Sequence, residues 1–122
     1  MNDLKWSNRD KQIARQAFKK AYEAECAELL EKVREMADGA RQPSDLWQIH
    51  DFLDRKRGQI DEKYDYRYSV LVQVFARLVA EDRLTLDDLD GLGEDVLSEI
   101  RRLVQLARGW AERGQKRVEQ GQ

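Results

Sequence analysis

Apolar positions in the first third of the chain recur at helical spacing. Phe18, Tyr22, Cys26, Leu29, Val33 and Met36 follow at steps of four, four, three, four and three, the spacing of a coiled-coil-like seam. Lys, Arg and Glu fill the opposite face. Ser7, with Asp10 three residues on, has the form of a capping box. The pattern predicts a first helix from Ser7 to about residue 37. Asp38-Gly39 ends it, with Gly39 as the expected left-handed cap. The short turn at residues 40–43 then returns a second helix antiparallel to the first. Trp6 precedes the cap and either docks on the fold or marks where a partner helix lies.

The second helix begins near Ser44, where Ser44 and Asp45 follow Pro43 as capping oxygens. On a wheel of about 100° per residue, Leu46, Ile49, Phe52, Leu53 and Ile60 share an arc of about 120°, a core stripe. Trp47, His50, Asp51, Asp54, Arg57 and Asp61 share another arc of about 120°. One face buries; the other gathers a Trp, the only His, three acids and an Arg. Two readings fit that second face. Either Trp47 caps its own helix beside ordinary i,i+3 and i,i+4 pairs (Asp51–Arg55, Asp54–Arg57, Arg57–Asp61), or Trp and Arg are there as contact anchors.

This helix is expected to run to about residue 81, with Gly58 or residues 61–65 as kink points. The stretch from Ser69 to Val79 is apolar on nearly all sides, so as a helix it is covered on several sides. Residues 82–84 break it. Thr85 caps a short turn, and Gly91 and Gly93 bound a second break. A last helix runs from Glu94 to about Arg113 with Val96, Leu97, Ile100, Leu103, Val104, Leu106, Ala107 and Trp110 as its apolar set. Gly114 ends it, and residues 115–122 form a frayed tail.

Composition narrows the class. The chain has 122 residues, 38% of them charged, and a net charge of −2. That charged fraction exceeds the roughly 25% of a typical globule and suits long, exposed helices. The basic residues form no patch, so neither nucleic acid nor an anionic membrane is favoured. Cys26 is the only cysteine, so no intramolecular disulfide forms; its place on the apolar side reads as packing. No leader-like start or apolar run of about 20 residues is visible, which reads as a soluble, cytoplasmic chain. No Gly-rich phosphate loop, CxxC or HExxH occurs. Asp51, Asp54, His50 and Asp61 share a face, but helix one offers no matching Glu-x-x-His for a ferritin-like site. No enzyme activity, metal or cofactor is expected.

A first helix of about 30 residues is about 45 Å long, whereas a compact globule of this size is only about 30–35 Å across. Two such helices and a small terminal bundle do not cover one another, so a two-fold dimer is expected, a monomeric bundle being the alternative. The fold class is all-α: two long antiparallel helices at residues 7–65 as a dimeric stem, and a C-terminal helical head at 66–113, in one domain.

The stretch LWQIHDFLDRKRGQIDEKYDYRYSVLVQVFARLV also resembles the fluorescence recovery protein family. The likeness rests on Trp47, His50-Asp51-Phe52-Leu53, Arg57, Ile60-Asp61, Lys63-Tyr64-Asp65, Arg67, Ser69-Val70 and Val74-Phe75-Ala76. It extends weakly over most of the chain, and the part after Arg108 is longer than the family's. The resemblance implies a non-catalytic homodimeric regulator that docks on the C-terminal domain of a photoactivated orange carotenoid protein. It would speed return to the inactive orange form and reverse non-photochemical quenching, with a location peripheral to photosynthetic membranes if that partner is antenna-bound. It ties Trp47, His50, Asp51 and Arg57 to activity and Leu46, Trp47, Asp51 and Arg57 to the dimer interface. In the head, Gln73 and Glu99 stand where the resemblance implies an aromatic and a lysine, which puts the head contact in doubt. The alternative is a dimeric helical adaptor for an unrelated partner.

Overall fold

The computed structural model describes residues 4–120, with side chains described for residues 4–110. Four α-helices and one 3-10 turn follow in order, with no strand among the described residues. They are α1 (Asn8–Gly39), α2 (Pro43–Lys63), α3 (Tyr68–Ala80), the turn Leu86–Leu89, and α4 (Glu94–Gln120).

Helix α1 starts as its sequence predicts. The Ser7 hydroxyl accepts from the Asp10 N–H at 3.0 Å, and the Asp10 carboxylate accepts from the Ser7 N–H at 2.9 Å. Its end differs from expectation. Gly39 stays helical, and Ala40 caps the helix in extended backbone at φ −72°. Arg41 serves other carbonyls at this end: its guanidinium donates to Asp38 O at 2.7 Å and Ala40 O at 2.8 Å. Pro43 opens α2 at its first turn, where its missing N–H costs nothing. Asp45 covers the start by accepting from the N–H groups of Arg41 and Gln42 at 2.8 and 3.2 Å. Gly58 is passed without interruption.

The long second helix does not continue to residue 81. It stops at Lys63 and resumes at Tyr68. The cause is a run of tyrosines at every second position, a period that suits extended backbone and not a helix. Tyr64 sets its ring edge-on against Phe18 and Tyr22 at 5.4 and 5.3 Å. Tyr66 meets Phe18 at 4.9 Å, and Tyr68 meets Trp6 at 5.5 Å. Trp6 therefore docks on its own chain. At the other end, α4 runs through Gly114 to Gln120.

The core lies where α3 and α4 meet the first half of α1. Leu71, Phe75, Leu78, Leu89, Val96 and Ile100 are fully buried. Helix α1 contributes Ala14, Ala17 and Ala21, small residues that bring its backbone close to the others. The seam expected to lead the packing, Phe18 to Met36, lies on another arc of α1, and its members are half-buried or, at Tyr22, exposed. Cys26 is likewise half-buried. Gly91 closes the base of the head with φ +97°, and a Cβ there would sit 2.8 Å from Ile13 Cδ1. Only glycine meets both demands.

The second half of α1 and α2 project as a two-helix arm. Of the core stripe predicted for α2, only Ile60 is buried; Ile49 and Phe52 are half-buried, while Leu46 and Leu53 are 57% and 43% exposed. Helix α1 adds Leu30, 51% exposed. The chain exposes 9055 Å², where a compact protein of its mass exposes about 6,800 Å².

Candidate functional site

Three places combine residues of chemical interest: the arm tip, the joint between arm and head, and the groove on the head.

At the arm tip, the first turns of α2 hold Leu46 and Trp47 outward. Trp47 is 61% exposed, so it does not pack under the Pro43 turn. His50 stands edge-on to it at 6.4 Å, and its Nδ1 is 3.2 Å from Asp51 Oδ1. Of the three ion pairs expected along this face, Arg57–Asp61 forms, at 3.8 Å. Asp51 and Arg57 do not meet within the chain. Six residues of helix separate them by about 9 Å along the axis. Both are highly exposed, at 74% and 84% of their side chains. The structure thus brings Trp47, His50 and Asp51 together and sets Arg57 two turns away, all facing solvent. The described residues contain no cluster of three or more metal-ligating side chains.

The joint is held by a charge cluster that the periodicity did not reveal. Lys63 ends α2 with its side chain 8% exposed and donates to Glu25 of α1 and Glu81 after α3, each at 2.8 Å. The Tyr64 hydroxyl donates to the other Glu25 oxygen at 2.7 Å. Arg83 adds an ion pair to Glu28 and lies 3.2 Å from Glu25, too far off axis for a hydrogen bond. Burial and the Glu25 hydrogen bond push the Tyr64 hydroxyl far above the usual phenol range. Burial alone would raise Glu81, but Lys63 and Arg77 outweigh it and hold the carboxyl below its usual value. The only sequence signal was a Lys at a position that the helical stripe turns inward.

A second polar clasp closes the head. Asp10 is buried and accepts from the Gly93 N–H at 2.9 Å, linking the starts of α1 and α4. Burial opposes its charge, yet the Ser7 and Gly93 N–H groups hold its carboxyl below the usual range.

On the head, Gln73 and Glu99 line one cavity of about 370 Å³ between α3 and α4, with Leu4, Tyr68 and Arg102. Glu99 pairs there with Arg102. The two positions lie far apart in sequence, and the fold brings them to one opening.

A helical scaffold that turns a Trp, a Leu and several charges outward from a long arm defines an interaction module. The sequence profile described as photoprotection regulator fluorescence recovery protein matches residues 6–104. The fluorescence recovery protein of Synechocystis sp. is 43% identical over 101 residues, which span 83% of this chain and 93% of that protein. The solved structure of the Fremyella diplosiphon fluorescence recovery protein is similar at a TM-score of 0.76 and 46% identity, covering 83% of this chain and 99% of that one. The Synechocystis structure is similar at 0.76 and 42% identity, with the same coverage. The chain belongs to the fluorescence recovery protein family and is a regulator of photoprotection.

Proposed function

We propose that the chain acts as a non-catalytic homodimer that binds the C-terminal domain of a photoactivated orange carotenoid protein and accelerates its return to the inactive orange form. The observation that carries the dimer is the uncovered apolar edge of the arm: Leu30, Leu46 and Leu53, with Trp47 beside them, are each between 43% and 61% exposed. Exposed Leu and Trp side chains of this kind are the apolar anchors that a two-fold contact covers. In that dimer Leu46 and Trp47 pack across the two-fold axis. Asp51 and Arg57, which cannot meet within one chain, pair across it or flank it.

Binding one state of the carotenoid protein better than the other shifts its population, and needs no chemical step. Trp47, His50, Asp51 and Arg57 form the activity face in this reading. The cavity at Gln73 and Glu99 is the head contact, and its polar, internally paired lining is the feature that favours the second reading, a helical adaptor for an unrelated partner. The test is to mix the protein with photoactivated orange carotenoid protein and follow the red-to-orange recovery. Acceleration supports the reading; an unchanged rate at saturating protein leaves the adaptor.

A further inference from the structure

Away from the arm edge and the head cavity, the first half of α1 carries a surface that neither uses. Its charge is one-sided. Residues 5–20 hold six basic residues and one acid, a net charge of +5 in a chain whose total is −2, while residues 21–40 hold six acids and two basic residues. The single acid is Asp10, which is buried and committed to the Ser7 and Gly93 N–H groups. Of the six cations, Lys20 pairs with Asp88 and Lys19 reaches Glu23 only at 3.9 Å; Lys11 and Arg15 form no ion pair among the described residues. The near-neutral total hides this patch, because the fold takes the neighbouring acids out of play.

Lys11, Arg15 and Lys19 follow at i, i+4 and i+8, which sets them in one row along α1. Lys11 stands near the positive pole of the helix, where a cation does not help the helix itself. Beside the row lie Trp6, Tyr66 and Tyr68, each half-buried. Lys11 sits over the Tyr68 ring, 5.3 Å from its centre. Trp6 and Tyr66 flank that ring at 5.5 and 5.7 Å. Asp65, the acid next to these tyrosines in the chain, is held by two nitrogens of Arg67 at 2.8 and 2.5 Å. The face is aromatic and cationic, and it keeps no carboxylate of its own for Lys11 or Arg15.

We propose that this row, with Trp6, Tyr66 and Tyr68, is a docking site for an acidic segment of a partner protein. Unpaired cations select carboxylates and speed the encounter. Tyr, Trp and Arg together are the composition of a contact hot spot. Three cations give a nucleic acid few phosphates to contact, and the rings are engaged with one another rather than open to stacking bases. Because the rings are half-buried, no apolar side chain protrudes to enter a bilayer. In a second copy, Glu28, Glu31 and Glu35 are the complementary acids of α1. At about 100° per residue they lie on the opposite side of the helix from the row, so a two-fold pairing along α1 does not join them.

The test uses the full chain and four labelled probes: a Glu/Tyr peptide, its Lys/Tyr counterpart, a single-stranded DNA oligonucleotide, and phosphatidylcholine–phosphatidylglycerol vesicles. At about 50 mM salt, where screening is modest, the Glu/Tyr peptide is expected to bind in the micromolar range, and the Lys/Tyr peptide at least tenfold more weakly. Arg15→Glu and Lys19→Glu, both at exposed positions, should each weaken the Glu/Tyr peptide by tenfold or more while the circular dichroism spectrum stays unchanged. Arg55→Glu, the same charge change on the exposed surface of the arm, should alter it less than twofold. Absent or equal binding of the two peptides overturns the proposal, as do equal losses from Arg15→Glu and Arg55→Glu, which would show an effect of net charge alone. DNA or vesicle binding tighter than the peptide's and lost in Arg15→Glu overturns it too, and so does an Arg15→Glu effect confined to self-association in sedimentation.

Discussion

The head and the arm are built from the same helical grammar and end in opposite states. In the head, Phe75, Leu71, Leu78 and Ile100 are fully enclosed by their own chain. In the arm, apolar residues at equally regular spacing are left half in water. The difference lies in the number of neighbours. A head helix has a helix or a turn on several sides, whereas an arm helix has one companion, and two helices alone cover only one stripe each. Head residues therefore act on the stability of the chain, and arm-edge residues, in the proposed dimer, on its assembly.

The largest test of that contrast is Phe75→Ala. It should cost about 3–5 kcal/mol in urea unfolding, whereas Leu53→Ala, measured at concentrations too low for dimerisation, should cost less than about 1 kcal/mol. Similar losses at both sites would erase the distinction.

Next comes the joint. Lys63→Ala removes the buried cation hydrogen-bonded to both Glu25 and Glu81 and leaves Arg83, 3.2 and 3.9 Å from them, as their remaining shared charge, at a cost of about 2 kcal/mol. Because it frees the arm from the head, small-angle scattering should also show a broader particle. An unaltered scattering profile with full stability would mean that the tyrosine contacts hold the joint alone.

At the arm tip, Leu46→Glu places a carboxylate in the proposed two-fold contact and should yield a monomer with native helix content. Trp47→Ala should weaken dimerisation or recovery by about 2 kcal/mol. A wild-type protein that is already monomeric at about 10 µM, the range of a weak dimer, would defeat both expectations. Asp51→Ala and Arg57→Ala should be non-additive in a double mutant if they pair across the axis. Since the two do not meet within one chain, additivity in sedimentation would exclude the pairing.

The smallest effect is on pH. Asp10 and Glu81 have carboxyls held below their usual range in the folded protein. The unfolded chain then takes up protons first as pH falls. The stability they contribute is complete at neutral pH and is lost as pH drops from about 4, the ordinary carboxylate value, toward their depressed folded values. Thermal scans between about pH 6 and pH 3 should show this decline, and Asp10→Asn should flatten it. A slope unchanged in Asp10→Asn would show that the Gly93 clasp has no share in it.

Much of this organisation was legible along the chain. The glycine break before α4 and the stretch after Ser69 were marked by their residue types alone, and the Ser7–Asp10 cap and the Thr85 turn depend on contacts within a few residues, where spacing carries the information. So does the gathering of Trp47, His50 and Asp51 on one helix face. Other features were not. Which arc of α1 meets the head was hidden, because alanines at 14, 17 and 21 have little hydrophobic signal and matter only through close approach. The break at residues 64–67 carries no glycine or proline. It exists because Tyr64, Tyr66 and Tyr68 find Phe18, Tyr22 and Trp6, some 40 to 60 positions away. The Lys63 cluster joins residues 18 and 38 positions apart, and nothing in a helical period selects such partners. Local spacing determined where the helices start and which faces they offer. Tertiary structure decided which of those faces are covered, because burial is a property of neighbours brought by the fold and not of neighbours in the chain.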